Sequence, residues 1–137
     1  MYPEGEIPVN EISLPMGMSA DEIYQIGQVL EPLRERQILL IGSGNITHNL
    51  AELNWHGNTS EVPEWASTFR NHVVSKLSHS SYDEVLELQH LPYIARNHPS
   101  LEHLAPLFFA MGTGSRFSLV HSSFSMGALG MDINRFD

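Results

Sequence analysis

Residues 37–45 have the sequence QILLIGSGN, in which a short apolar run is followed at once by a glycine-rich turn. Such a run, bounded by turn residues, is typical of a strand buried on both faces, as in parallel α/β sheets. The turn then lies at the carboxyl end of the strand, where the ligand sites of open α/β sheets gather. We therefore predict a buried strand at residues 37–42 that leads into a functional turn.

The segments before this run complete a βαβ unit. Residues 7–13 alternate loosely between apolar and polar, which predicts a strand, and residues 20–35 carry apolar side chains at helical spacing. Ser19 is a residue type favoured at helix N-caps, and the acidic Asp21 and Glu22 suit the positive end of the helix dipole. The order of strand, helix and strand favours an α/β fold with a mainly parallel sheet flanked by helices.

The rest of the chain predicts further helices and then strands. Helical patterns cover residues 64–77, 81–89 and 104–111, and apolar or β-branched residues at 117–121 and 124–133 indicate strands or extended segments. A chain of 137 residues without repeats or a linker is expected to form a single domain, residues 1–137.

The composition narrows the function. The formal net charge of −9 disfavours binding to nucleic acid and to anionic membranes. The chain has no cysteine, no apolar run of the roughly 18 residues that a membrane span needs, and no secretory signal pattern at its start. A cytoplasmic protein is expected by default. Eight histidines in an acidic chain favour a transition-metal site.

Two of these histidines stand at positions that favour a site. His48, in GSGNITHNL, follows the predicted strand and is expected to project into the crevice above the sheet, although a surface histidine with a local hydrogen bond is the simpler alternative. His103, in PSLEHLAPLFFAMG, lies at the N-terminal edge of a helix, because Pro106 is tolerated only in the first helical turn. The adjacent Glu102 points about 100° away from His103 on a helix, so only one of the pair faces a given site.

The remaining histidines carry weaker predictions. His56, in the loop NWHGN beside Trp55, is a candidate substrate-binding residue. His98 precedes Pro99, which favours an extended backbone but assigns no role. The GSGN turn matches neither a P-loop nor a dinucleotide fingerprint.

In order, the segments MYPEGEIPVNEISL, ILLIGSGNITHNL, NWHGNTSEVPEWASTF, HPSLEHLAPLFFAMG and SMGALGMD resemble the DODA-type, class III extradiol dioxygenases of the LigB superfamily. The resemblance implies an α/β enzyme that opens a catecholic ring beside its two hydroxyls, using dioxygen and non-haem Fe(II) or, in some relatives, Zn(II). It implies that His103 holds the metal, and that His48 is either a further metal contact or the acid–base group for substrate protons.

The family enzymes are nearly twice as long as this chain. By the resemblance, this chain corresponds to their C-terminal half. The resemblance implies that the N-terminal half supplies further histidine ligands, so we expect an incomplete site that is inactive by itself. Its expected partner is a complementing N-terminal half or a second copy in a two-fold dimer, covering an exposed apolar surface. Two alternatives remain open: a non-catalytic α/β association domain or truncated remnant, and a zinc-dependent hydrolase-like site.

Overall fold

The computed structural model describes residues 4–15, 17–55 and 61–137. Helix α1 spans Ala20–Leu30 and begins with a capping box, in which the Ser19 side chain accepts from the Glu22 amide and the Glu22 carboxylate accepts from the Ser19 amide. A 3₁₀ helix, Glu31–Arg36, continues it. The predicted helix at 20–35 is therefore present but changes type, because Pro32 lacks the N–H that an α-helix would need there.

In the described ranges, four more α-helices follow, together with two short 3₁₀ helices, Leu50–Glu52 and Leu88–His90. The α-helices are α2 (Glu64–Ser78), α3 (Tyr82–Leu86), α4 (Ile94–Asn97) and α5 (Ala105–Gly112). None of the helices in the described ranges is long and apolar enough to cross a bilayer.

Helix α5 forms the centre of the core. It crosses α1 at two glycines, where a Cβ on Gly27 would lie 2.2 Å from the Phe109 carbonyl oxygen and one on Gly112 would lie 2.1 Å from the Tyr24 carbonyl oxygen. Any larger residue would push the two helices apart. The fully buried side chains around α5 include Phe69, Val73, Leu77, Val85, Leu104, Phe108 and Met111.

The strands lie at the end of the described chain. Strand β1 (Phe117–His121) pairs antiparallel with β4 (Ile133–Phe136), and β2 (Phe124–Ser125) pairs antiparallel with β3 (Leu129–Gly130). The protein therefore mixes helices with two short antiparallel pairs of strands. The strand predicted at 117–121 is confirmed, whereas 124–133 forms the short β2–β3 hairpin and leads into β4, which continues to Phe136.

The mainly parallel sheet is not confirmed, and the strand assignments at 7–13 and 37–42 are wrong for the chain as it stands. Among the described residues, no backbone hydrogen bond joins residues 7–13 or 39–42 to another segment. A strand exists only when a neighbour completes its ladder, and the apolar pattern alone does not supply that neighbour.

The segment from 39 to 44 nevertheless keeps the side-chain period of a strand. Leu40 packs against the core, and Gly42 and Gly44 lie against Pro106 and His103, so alternate residues face α5. The intervening Leu39 and Ile41 are 68% and 59% exposed. One side of this segment is thus fixed to the core while the other presents apolar side chains to solvent.

Candidate metal centre

His48 and His103 are in direct contact. Their ring centroids lie 3.6 Å apart with an interplanar angle of 22°, a stacked pair formed by residues 55 positions apart in the chain. His103 lies immediately before Leu104, the N-cap of α5, and the first turn of α5 contains Pro106. The structure therefore brings together the two histidines that the sequence singled out. The lone pairs of two stacked rings lie in nearly parallel planes, so one ring would have to rotate for both to bind a single ion at the usual imidazole–zinc length of about 2.0–2.1 Å.

The close approach of the two segments depends on glycine. A Cβ on Gly44 would lie 2.4 Å from the His103 carbonyl oxygen, and one on Gly42 would lie 2.4 Å from the Pro106 carbonyl oxygen. The Asn45 amide also donates to the His103 carbonyl oxygen at 2.9 Å. The GSGN turn therefore serves close backbone approach to the start of α5.

A second set of hydrogen bonds ties the turn to the β2–β3 hairpin. The buried Thr47 hydroxyl donates to the Ala128 carbonyl oxygen and accepts from the Gly130 amide, both at 2.7 Å. The Asn45 side-chain amide donates to the Gly130 carbonyl oxygen at 2.7 Å. The segment SMGALGMD thus supports the backbone that carries His48.

A third contact comes from residues 97–98. The His48 amide donates to the Asn97 carbonyl oxygen at 3.3 Å, and His98 Nε2 lies 2.6 Å from the Ile46 carbonyl oxygen. Burial lowers the pKa of His98 to about 4, so its ring is neutral near pH 7. Sequence reasoning left His98 without a role because its partner lies 52 positions away in the chain.

Electrostatics favour a neutral imidazole at His48. Burial chiefly, and the neighbouring His103 second, lower the pKa of His48, while a backbone hydrogen bond and Glu102 act in the opposite direction. The Glu102 carboxylate accepts from the Ser100 hydroxyl at 2.7 Å, lies 4.0 Å from His103 Nε2 and is exposed. A neutral ring has a free lone pair for a metal or a proton.

The described residues provide two candidate nitrogen ligands, His48 and His103, and no complete site. No group of three or more His, Cys, Asp or Glu suited to holding a metal occurs among residues 4–15, 17–55 and 61–137. The predicted substrate-binding residue, His56, lies outside the described residues. Three other histidines have local partners instead: His79 with the Ser75 carbonyl oxygen, His90 with Glu87 and His121 with Ser123.

Residues 1–136 match the family model described as the catalytic LigB subunit of aromatic ring-opening dioxygenase, and the chain belongs to that family. The family resemblance predicted from the sequence is thereby confirmed. Enzymes of this family are metal-dependent.

Two curated relatives carry the description "4,5-DOPA dioxygenase extradiol". The one from Beta vulgaris is 34% identical over 99% of this chain and 52% of its own length. The one from Escherichia coli K12 is 34% identical over 82% of this chain and 42% of its own length. The chain thus spans about half the length of these relatives.

A solved structure shows the same fold. The crystal structure of an uncharacterized protein from Escherichia coli K12 superposes with a TM-score of 0.86 at 29% sequence identity. The match covers 98% of this chain and 58% of the other.

Proposed function

We propose that this chain forms the part of an extradiol dioxygenase that carries His48 and His103, and that it acts on catecholic, DOPA-like rings with dioxygen. The stacked pair of histidines carries the proposal, because two imidazoles from distant segments meet where three sets of hydrogen bonds fix the backbone. The names of the relatives support the reaction class and the substrate class.

The donor set fits two positions of a non-haem metal centre. Imidazole nitrogens suit iron and zinc, and a non-haem iron site uses about three protein ligands in a facial arrangement. His103 is proposed as the metal ligand because it stands at the family's ligand position, and its side chain is 44% exposed and so accessible to an ion. His48 is a further contact or the acid–base group, and the metal is Fe(II) or Zn(II).

His48 is suited to moving the substrate's proton. The metal, when bound, would supply chelation of the two catecholic oxygens and a site for dioxygen beside them. A ring nitrogen of neutral His48 would accept the proton from a catechol hydroxyl and return it later in the reaction. The lowered pKa of His48 keeps that nitrogen free at neutral pH, and the fixed turn keeps it oriented.

This chain spans about half the length of its relatives. The remaining metal ligands are proposed to come from a polypeptide that corresponds to the other half. The exposed apolar side chains of residues 7–13 and 38–41 support packing of this half against these two segments. Their backbone groups make no ladder, so an added strand would gain hydrogen bonds as well as apolar contact. A second copy of this chain is the alternative occupant.

The test is ring cleavage by a complemented complex. We would co-express this chain with the unmatched half of the Beta vulgaris relative, supply Fe(II), and follow DOPA cleavage by absorbance. We expect activity in the complex, none from either half alone, and about 10²–10⁴-fold slower turnover for His48→Ala, the usual scale of acid–base contributions.

The controls separate docking from chemistry. His90→Ala changes a surface histidine that pairs with Glu87, and this variant should cleave DOPA normally. Leu39→Lys should weaken association of the halves, because it places a charge on the proposed docking surface. A complex that forms and binds iron but never cleaves a catechol would refute the proposed reaction.

A further inference from the structure

Residues 97 and 98 contact the His48 turn at two successive points. The Asn97 carbonyl oxygen accepts from the His48 amide, and the His98 ring bonds to the Ile46 carbonyl oxygen. A carbonyl oxygen only accepts, so His98 Nε2 must carry the hydrogen and Nδ1 must be the bare nitrogen. The contact therefore fixes the tautomer of His98.

The interior of the protein holds this contact in place. His98 is only 4% exposed, and the Phe69 ring lies 5.6 Å from it, centroid to centroid. Asn97 is fully buried, and its side-chain amide donates to the carbonyl oxygens of Trp65 at 3.2 Å and Tyr93 at 3.1 Å. A hydrogen bond in such low-dielectric surroundings is stronger than one in water.

We infer that His98 is a positioning residue for the metal centre, which holds the Ile46 peptide so that the His48 ring stays against His103. That this positioning serves metal binding by His48 and His103 rests on the proposed function. Without the His98 donor, the buried Ile46 carbonyl oxygen loses this hydrogen bond, and the peptide between Ile46 and Thr47 is held less tightly. His48 lies two residues after Ile46, so the orientation of its ring would be less well fixed, although its own amide still donates to Asn97.

The inference predicts a difference between two substitutions of His98. Gln places a side-chain N–H donor near the position of Nε2, whereas Leu keeps the apolar bulk and removes the donor. We expect His98→Gln to bind metal nearly as well as the wild type. We expect His98→Leu to bind it about 10–100-fold more weakly, the scale for residues that orient metal ligands.

The experiment is a Zn(II) titration of the full 137-residue chain, followed by the NMR signals of the His48 and His103 rings. Val85→Ala is the matched control, because it opens a cavity at a fully buried residue of α3 outside the His48 turn. Urea unfolding of each variant measures the stability that it loses, and we expect similar losses in His98→Leu and Val85→Ala. Only His98→Leu should lose Zn(II) affinity.

Equal Zn(II) affinity in His98→Leu and Val85→Ala would reduce His98 to a scaffold residue and overturn the inference. If His98→Leu does not fold, the tautomer of His98 in the wild type tests the inference instead. A hydrogen on Nδ1 rather than Nε2 would mean that His98 cannot donate to the Ile46 carbonyl oxygen, which would overturn the inference. Failure of the complemented complex to cleave DOPA, with the Zn(II) difference intact, would overturn the proposed function and leave the positioning role standing.

Discussion

Replacing Thr47 by Val tests whether the hairpin contact holds the His48 turn. Valine has nearly the same shape, so the change removes a hydroxyl and leaves the volume intact. The buried Ala128 carbonyl oxygen loses its donor, and leaving such a group unpaired costs about 1–3 kcal/mol. The Gly130 amide keeps a weaker bond to the Thr47 carbonyl oxygen at 3.3 Å, so its loss is partial.

We therefore expect Thr47→Val to lower the free energy of unfolding by about 2–3 kcal/mol. Thr47→Ser keeps the hydroxyl and loses one buried methyl, for which about 1 kcal/mol is expected. Urea unfolding of the three proteins measures both values at one pH. If Thr47→Val is as stable as the wild type within about 0.5 kcal/mol, the hydroxyl contacts do not support the turn as described.

Two further predictions concern the same region. Gly44→Ala should destabilise the fold by about 1–3 kcal/mol and separate His48 from His103, because its Cβ meets the His103 carbonyl oxygen at 2.4 Å. Ser43→Ala, at the exposed neighbouring residue, is the control in urea unfolding, and equal stability of the two variants would contradict the close approach. Because burial lowers the pKa of His98 to about 4 from 6.5, the unfolded chain binds more protons between these values. Neutral His98 therefore makes its full contribution to the free energy of unfolding above about pH 6.5, and about 3 kcal/mol of that contribution is lost as the pH falls through 4. Urea midpoints measured from pH 7 to pH 4 should show this loss in the wild type and not in His98→Gln; parallel profiles would refute it.

The sequence predicted those features of the fold that depend on residues close together in the chain. The capping box at Ser19 and the position of Pro106 in the first turn of α5 follow from neighbouring residues. The meeting of His48 and His103 was expected from the family resemblance and from the turn that follows the apolar run, and the rings are in contact.

The parts that sequence reasoning missed depend on distant partners. QILLI indicates a buried strand, yet Leu39 and Ile41 are exposed because no described segment pairs with them or covers them. His98 gave only the backbone preference of a residue before proline, because its role depends on the Ile46 carbonyl oxygen. Hydrophobic pattern and local chemistry do not specify such tertiary contacts.

The iron content of the complemented complex tests the central claim most directly, because that claim assigns metal binding to His103. We would purify the complex with wild-type chain, His103→Ala, His48→Ala and His90→Ala, and measure iron per complex by elemental analysis. His103→Ala should lose most of its iron, His48→Ala should lose less, and His90→Ala should match the wild type. A His103→Ala complex that keeps the iron content of the wild type would contradict the account.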